Sequence, residues 1–446
     1  MPKGGRRLAV PARGRSVRLL AIALAVTLAL AAAAATPARG DEYNYQNLLV
    51  GTRSSGMGGA DVAFADSVTG AYYNPAGITL AEARLVSVSL SAYRVDLSGF
   101  ADIQASEGKA GRAAGFQFNS FPLNFGLITQ LGNAAGLQAH TLAFNFFVED
   151  NDTGGARVDV RIPGIADLYL RVRRQDRETV RFGPTWAARR GRLSIGASLF
   201  YRLRVEGLLV DSLVDVQDSV TYRLLDTQAL HGSLVGQLGA LWLPWRGLRV
   251  GVTVMPPGLT LHATSVGTAL ELRSGTQPQF VPSSEQPMTY KTPWKLALGV
   301  GWKWRGGTRV GADVTVHTAI GRYQVIPGLV EAQGETTVNW NLGVEAPVTQ
   351  RLALRAGAFT NFAATPEPPM QDPAGFDDPG RLPHIDYYGA TLGASLLTGK
   401  SSLDVSVIYQ YGTGRAPAEA SRGWDPVEGN IIVMMLGGTY AFAEGK

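Results

Sequence analysis

Apolar and polar residues alternate along much of this chain with the period of a β-strand. The alternation is clearest over residues 294–304, 309–317 and 402–411, where one face is apolar and the other is polar or small. After residue 40, no apolar run is long enough to cross a bilayer as a helix. Insertion into a membrane would therefore require a closed barrel, in which all backbone polar groups pair between strands.

Short turns and long polar segments also alternate, as they do in outer-membrane barrels. Six short turns are predicted near residues 132–136, 189–192, 244–247, 305–308, 347–351 and 399–401. Outer loops are predicted at about 95–118, 150–178, 206–230, 256–290, 318–338, 363–385 and 412–429. The turns join twelve strands, and strands near 84–93 and 431–442 bring the total to about 14. The predicted fold class is all-β, an antiparallel transmembrane β-barrel of about 14 strands over residues 85–446. A soluble β-sandwich, the alternative, would not usually combine strands this long with loops so unequal.

The first 40 residues have the organisation of an export signal. Six basic residues precede an uncharged run over residues 19–35 that is apolar except for Thr27, and small residues follow at Thr36, Ala38 and Gly40. A spanning helix needs roughly 20 apolar residues, and this run is alanine-rich and slightly shorter. We therefore predict a cleaved signal peptide over residues 1–40 in preference to an uncleaved membrane anchor.

The net charge and the absence of catalytic motifs exclude several classes of function. The chain has 41 basic and 36 acidic residues, but seven of the basic residues and none of the acidic ones precede Asp41, so the mature chain has a small acidic excess. This composition gives no indication of a nucleic-acid partner. Cysteine is absent, the five histidines are scattered, and no catalytic or dinucleotide-binding motif is found. We predict that the protein is not an enzyme and has no metal site or cofactor.

A glycine-rich segment over residues 51–77 lies between the signal and the predicted strands. Gly58 and Gly59 permit backbone angles and close approaches that other residues forbid. A tight turn is predicted next, because proline fixes φ and asparagine bonds to nearby backbone groups. Its residues are Asn74, Pro75, Ala76 and Gly77. The segment can therefore fold into a narrow space.

This segment resembles the N-terminal hatch of the FadL/TodX-type outer-membrane transporters of long-chain fatty acids and other hydrophobic compounds. The matching motifs are Met57-Gly58-Gly59-Ala60, Ala65-Asp66 and Asn74-Pro75-Ala76. Strand motifs within residues 292–314, 340–357 and 382–393 follow in that family's order, so the resemblance covers about residues 41–442. It implies a bacterial outer-membrane barrel with a hatch at residues 41–84 inside the lumen.

The resemblance also implies passive transport. In that family the hatch fills the barrel, the ligand binds near the hatch's N-terminus, and a hatch rearrangement releases it sideways through the barrel wall. Gating is then expected at Gly58, Gly59 and the turn that begins at Asn74. Candidate ligand contacts are the hatch aromatics Phe64, Tyr72 and Tyr73.

Three basic residues are expected to point inward by strand alternation, where they could bind a carboxylate head. They are Lys295, Arg309 and Arg355. Two alternatives stay open: the hatch aromatics pack only inside the barrel, and the bases form an internal ion network with acids. Those acids would be Asp313, Glu345 and Asp404.

Three functions remain for comparison: diffusion of hydrophobic molecules, a structural or secretion scaffold that binds a protein partner, and a general porin. A hatch argues against the porin. The last strand is apolar on both faces over residues 431–436, which favours a partly apolar lumen, although packing against the hatch would require the same pattern. The expected partners are a hydrophobic ligand, outer-membrane lipids, lipopolysaccharide and the barrel-assembly machinery. The protein is expected to be a monomer.

Overall fold

The computed structural model describes most of the chain after residue 43. The described ranges are 44–81, 84–105, 109–121, 124–131, 139–162, 166–216, 219–273, 279–326, 330–367, 384–417 and 424–442. The signal peptide predicted for residues 1–40 lies outside them. No helix among the described residues is long and apolar enough to span a membrane.

Strands make up most of the described chain. Their bounds are β1 Arg84–Ala105, β2 Lys109–Phe121, β3 Asn124–Gln130, β4 Ala139–Ile162, β5 Ala166–Arg190, β6 Leu193–Val216, β7 Ser219–Trp242, β8 Leu248–Met255, β9 Leu259–Arg273, β10 Gln279–Pro287, β11 Lys295–Lys303, β12 Arg309–His317, β13 Ile320–Ile326, β14 Val330–Gly334, β15 Thr337–Pro347, β16 Leu352–Asn361, β17 His384–Thr398, β18 Ser401–Pro417 and β19 Trp424–Ala441. Strands β13 and β14 form a separate two-stranded sheet.

The other 17 strands form one antiparallel sheet that closes on itself, because β1 pairs with β19. At three positions around the barrel wall, two strands follow each other end to end and together occupy the place of one long strand. Strands β2 and β3 both pair with β1, β8 and β9 both pair with β7, and β10 and β11 continue alongside β9 and β8. The barrel therefore has 14 positions, which confirms the predicted fold class.

Several predicted outer loops are strands instead. Residues 150–178 lie largely within the β4–β5 ladder, and residues 206–230 lie largely within the β6–β7 ladder. The prediction was wrong here because it took the Gly, Pro, Asp and Gln content of these segments to indicate loops. An antiparallel ladder can continue on backbone hydrogen bonds after its side chains become polar.

The two faces of the barrel differ as expected for a membrane barrel. On β15 the buried positions alternate strictly with exposed ones from Asn339 to Val344. The exposed positions include Trp340, Leu342 and Val344, whereas Asn339 and Asn341 point inward and are buried. The exterior is therefore apolar at this level, and the lumen side of the wall is polar.

Residues 44–81, hereafter the hatch, are packed inside this wall. The hatch contains two short helices, α1 (Thr52–Gly56) and α2 (Gly70–Tyr73), followed by a 3-10 helix (Pro75–Leu80). Asn44 bridges to Ala363 and Leu80 is close to the short turns, so the hatch extends from the long-strand side of the lumen to the short-turn side. Short turns face the periplasm in outer-membrane barrels. By analogy with that orientation, the long-strand side of this barrel is named the outer side and the short-turn side the periplasmic side.

Candidate functional site

A row of lumen-facing glycines forms the surface on which the hatch rests. Four of them are directly paired neighbours on the adjacent strands β11, β12, β15 and β16. This glycine row consists of Gly301, Gly311, Gly343 and Gly357. A Cβ on Gly343 would lie 2.2 Å from the carbonyl oxygen of Met57, and one on Gly357 would lie 2.3 Å from the amide nitrogen of Gly58. Glycine in a strand interior commonly marks a close approach of another backbone, and here that backbone belongs to the hatch.

The predicted hatch glycines lie at this contact. Gly58 and Gly59 have φ of 63° and 77°, in the left-handed region that favours glycine. A Cβ on Gly58 would come within 2.8 Å of the Ala358 amide nitrogen. Both the backbone angle and the space therefore require glycine at position 58.

Asn74 fastens the predicted turn to the wall and is fully buried. Its Oδ1 accepts a hydrogen bond from the Ala76 amide at 3.1 Å, which caps the 3-10 helix that begins at Pro75. Its Nδ2 donates to the carbonyl oxygens of Val62 in the hatch and Ala240 on β7, at 3.0 and 3.1 Å. One side chain thus holds the turn, the hatch and the barrel wall together.

The other turn residues also lie against glycines of the wall. A Cβ on Gly196 of β6 would lie 2.5 Å from the carbonyl carbon of Pro75. Gly77 is itself constrained, because a Cβ there would lie 2.4 Å from the Ala65 carbonyl oxygen. Pro75, Ala76 and Gly77 are all buried.

Asp66 of the hatch accepts hydrogen bonds from three arginines. Arg53 of the hatch donates at 2.9 Å, and Arg249 on β8 and Arg309 on β12 each donate at 3.0 Å. Burial raises the pKa of the Asp66 carboxyl, but Arg309, Arg53 and Arg249 together outweigh it and hold that pKa well below its usual value. Asp66 is therefore an ionised link between the hatch and two strands.

The ion cluster continues along the wall. Glu345 accepts from Arg53 at 3.0 Å and from Arg355 at 2.7 Å, and Arg355 reaches Asp404 at 3.2 Å. These groups line a cavity of about 470 Å³ on the periplasmic side of the hatch. Arg309 and Arg355 therefore belong to the internal ion network that the sequence left open as an alternative.

Asp313 takes another partner, since its Oδ2 accepts a hydrogen bond from the Val62 amide at 2.8 Å. Within the described part of the chain, no group of three or more His, Cys, Asp or Glu residues is placed to hold a metal ion.

A second cavity, the outer pocket, lies on the other side of the hatch and has a volume of about 80 Å³. Aromatic, basic and acidic side chains line it, including Tyr72, Tyr290, Glu149, Asp150, Arg181, Arg202, Arg204 and Lys295. Glu149 pairs with Arg181 and, at 2.9 Å, with Arg202. Arg204 pairs with Glu206 at 2.8 Å and lies 4.5 Å from the centre of the Tyr290 ring.

Lys295 differs from the other cations of the outer pocket. Its Nζ lies 5.0 Å from the centre of the Tyr72 ring. Across the described ranges it forms no ion pair with a carboxylate, whereas Arg181, Arg202 and Arg204 each do. The residues that line the pocket include four basic side chains and two carboxylates, so the lining has a net positive charge. Lys295 places one of these positive charges beside an aromatic ring.

The six predicted contact residues therefore lie in three places. Tyr72 and Lys295 line the outer pocket, and Arg309 and Arg355 line the periplasmic cavity. Phe64 is fully buried against the glycine row and lies 5.2 Å from the Arg249 guanidinium. Tyr73 packs edge-on against Tyr72, and its carbonyl accepts a hydrogen bond from Thr253 at 2.9 Å.

The sequence interpretation missed three arginines of the outer pocket. Arg202 and Arg204 are two residues apart on β6, so strand alternation could have placed them on one face. Arg181 of β5 pairs directly with Arg202 in the sheet, and this neighbour relation requires knowledge of the strand register.

The apolar face of the last strand packs against the hatch. Leu48 and Leu49 form a buried cluster with Ile431, Val433 and Met435 of β19. The sequence left two interpretations of residues 431–436 open, an apolar lumen or packing against the hatch, and both describe this one surface. It is apolar and faces the lumen, and the hatch covers it in this structure.

These features together define a class: a closed barrel of 14 positions whose lumen is occupied by its own N-terminal segment. No family model and no curated protein matches the sequence. Solved structures do match across nearly the whole chain. A FadL homologue from Pseudomonas aeruginosa has a TM-score of 0.64 at 14% identity, over 91% of this chain and 100% of that one.

Two toluene transporters are also similar in structure. TodX from Pseudomonas putida has a TM-score of 0.63 at 12% identity, over 90% of this chain and 100% of its own. TbuX from Ralstonia pickettii has a TM-score of 0.58 at 15% identity, over 89% of this chain and 100% of its own. The chain has the fold of the FadL/TodX-type barrels, which confirms at the level of the fold the resemblance found in the sequence.

Proposed function

We propose that this protein carries hydrophobic molecules passively across the bacterial outer membrane, with long-chain fatty acids as the preferred class. The shared fold supports hydrophobic transport, because the similar structures include a FadL homologue and two toluene transporters. The same likeness gives no support to an enzymatic role. In this role the barrel would act as a monomer among outer-membrane lipids and lipopolysaccharide, placed there by the barrel-assembly machinery.

The observation that carries the choice of a fatty acid is Lys295. Its ammonium group lies beside the Tyr72 ring, has no carboxylate partner among the described residues, and offers a carboxylate a charge-assisted hydrogen bond. An arene such as toluene could offer this ammonium group only its π-face, which contributes less than a charge-assisted hydrogen bond to a carboxylate. The outer pocket is therefore proposed to hold the carboxylate head, with Lys295 and Tyr72 as contacts and Arg181 and Arg202 close by.

The acyl chain needs an apolar surface, and the proposal assigns it the wall beneath Leu48 and Leu49. Those two hatch residues cover Ile431, Val433 and Met435 in the structure. Movement of residues 48–50 would free this surface for a ligand. The tight contacts of Gly58, Gly59 and the turn that begins at Asn74 make them the proposed points of hatch control.

Lateral release is proposed between β2 and β4. Strand β3 pairs with β4 as far as the Asn124–Phe147 pair, and in the described ladders β2 pairs with β1 alone. Beyond Phe147, β4 therefore lacks a ladder partner on this side within the described residues. Opening the wall at an unpaired stretch requires the least free energy, because no backbone hydrogen bonds have to be broken there.

Replacing Lys295 by methionine tests the proposed contact. We expect the parent protein, purified in detergent, to bind a radiolabelled long-chain fatty acid saturably. Lys295→Met is expected to weaken this binding about tenfold or more, since a hydrogen bond to a charged group contributes roughly 1.5–3 kcal/mol. Equilibrium binding with unlabelled fatty acid, an alkane and toluene as competitors measures both effects.

Lys400→Met is the matched control, because Lys400 lies in a short turn at the other end of the barrel. It should bind the fatty acid as the parent does. Unchanged affinity in Lys295→Met would show that Lys295 does not contact the ligand, but it would not contradict the proposed transport. Displacement by toluene alone would shift the class to aromatics, and no saturable binding of any probe would favour a scaffold that binds a protein.

A further inference from the structure

The short turns at the periplasmic end of the barrel have a common charge pattern. The five described turns comprise residues 191–192, 243–247, 304–308, 348–351 and 399–400. Each contains one basic residue and none contains Asp or Glu. The basic residues are Arg192, Arg246, Arg305, Arg351 and Lys400. This end of the barrel therefore presents a positive rim.

Three neighbouring turns of this rim border an open cavity of about 760 Å³, hereafter the rim cavity. Its charged lining residues are all basic: Arg192, Arg246, Arg249, Lys303 and Arg305. Arg249 is bonded to Asp66 of the hatch. Within the part of the chain that the structure describes, Arg246, Lys303 and Arg305 have no carboxylate partner. The cavity is large, positive and not neutralised by its own walls.

Aromatic residues share the same cavity. Trp245, Trp302 and Trp304 line it, and Trp245 and Trp304 are 43% and 49% exposed. Indole rings favour the level of the lipid headgroups, where one part of the ring is apolar and the N–H remains hydrated. On the same side of the wall, Leu193 and Trp242 are exposed apolar residues at strand ends. The cavity therefore extends across the edge of the wall. Leu80 of the hatch, Arg249 and Lys303 line its lumen side, and the tryptophans line the side next to the apolar exterior.

The frame of the rim cavity is fixed by backbone hydrogen bonds between turns. The Leu243 amide donates to the Arg192 carbonyl at 2.8 Å, and the Lys303 amide donates to the Gly247 carbonyl at 2.8 Å. The Arg192 guanidinium also donates to the Pro244 carbonyl at 2.8 Å. These bonds tie the turns together, so the basic side chains start from a preformed frame.

We propose that the rim cavity binds the phosphate headgroup of an anionic phospholipid from the periplasmic leaflet of the outer membrane. Arginine presents a planar fork of donors that matches phosphate oxygens. Basic groups next to a bilayer attract anionic lipids, and indole rings favour the level where the acyl chains meet the headgroups. The position at the edge of the apolar exterior favours a lipid over a free anion or an acidic protein.

The test uses the full-length barrel, delipidated in detergent and titrated with phosphatidylglycerol or with phosphatidylethanolamine under native mass spectrometry. The parent is expected to bind phosphatidylglycerol more tightly. The double variant Arg246→Gln/Arg305→Gln is expected to lose about thirtyfold in this affinity, because each basic residue near an anionic lipid surface contributes a factor of about five. Both residues are exposed and lie in turns, and a heat-modifiable gel shift reports whether the barrel still folds.

The matched control is Arg351→Gln/Lys400→Gln, which removes the same charge from the rim outside the cavity. It should retain parental affinity. Equal affinity for the two lipids, or equal loss in both double variants, would overturn the site. Full displacement of the lipid by millimolar inorganic phosphate would also overturn it, by showing a site for free anions. Fatty-acid binding through Lys295 is measured separately, so neither proposal stands or falls with the other.

Discussion

Asp66→Asn is expected to loosen the hatch without unfolding the barrel. The substitution leaves Arg53, Arg249 and Arg309 around a neutral amide in a buried site. Removing one partner from a buried ion cluster costs about 3 kcal/mol or more, which is roughly a hundredfold in population. Amide hydrogen exchange over residues 51–66 should therefore accelerate about a hundredfold, and open-channel events in planar bilayers should become frequent.

The pH dependence of hydrogen exchange tests whether the charge of Asp66 is what holds the hatch in place. Its pKa in the folded protein lies below its unfolded value of about 4, so its contribution is complete above that value and is lost as pH falls through the folded pKa. The difference between parent and Asp66→Asn should be constant from about pH 5 to 8 and should shrink below about pH 4. The control is Glu367→Gln, at an exposed carboxylate. Parental exchange and conductance in Asp66→Asn would contradict the link.

Gly357→Val is expected to displace the hatch from its seat. The new side chain would meet the Gly58 amide nitrogen at 2.3 Å and the Met57 carbonyl carbon at 2.4 Å, and both are backbone atoms that no rotamer change can move. Valine suits a strand, so β16 itself should tolerate the change. The folded barrel should keep its heat-modifiable gel shift, while channel conductance rises by about an order of magnitude or more. Overpacking alone costs roughly 1–3 kcal/mol.

Gly236→Val is the matched control, because a Cβ at Gly236 of β7 would meet nothing within 4 Å. It places the same side chain in a strand of the same barrel and should leave conductance at the parental level. A closed channel in Gly357→Val, with residues 51–66 as protected as in the parent, would show that the glycine row does not seat the hatch.

Strand alternation predicted the barrel, and the count of short turns predicted its number of positions. Residues 294–304 and 309–317 alternate because one face meets lipid and the other meets the lumen. The prediction failed for the long ladders β4–β5 and β6–β7. Within β4, Val158, Val160 and Ile162 do alternate with charged residues, but the Gly, Pro, Asp and Gln content of these segments favoured loops in the prediction.

The glycine row and the outer pocket needed three-dimensional information. Gly301, Gly311, Gly343 and Gly357 are spread over 57 positions of the chain and become neighbours only through strand register. A glycine on a lumen face was visible in the sequence, but its contact with the hatch was not. The separation of Lys295 from Arg309 and Arg355 was within reach of the sequence, because the turns predicted near 305–308 and 347–351 lie next to the two arginines and far from Lys295.

The measurement that tests the central claim most directly is uptake of a radiolabelled long-chain fatty acid by bacteria lacking their own outer-membrane fatty-acid transporter. The cells would express this protein at a surface level matched to that of the Lys295→Met variant. The account predicts saturable uptake well above empty-vector cells, reduced in the variant. Uptake equal to the empty vector, with the folded barrel present in the outer membrane, would contradict the account.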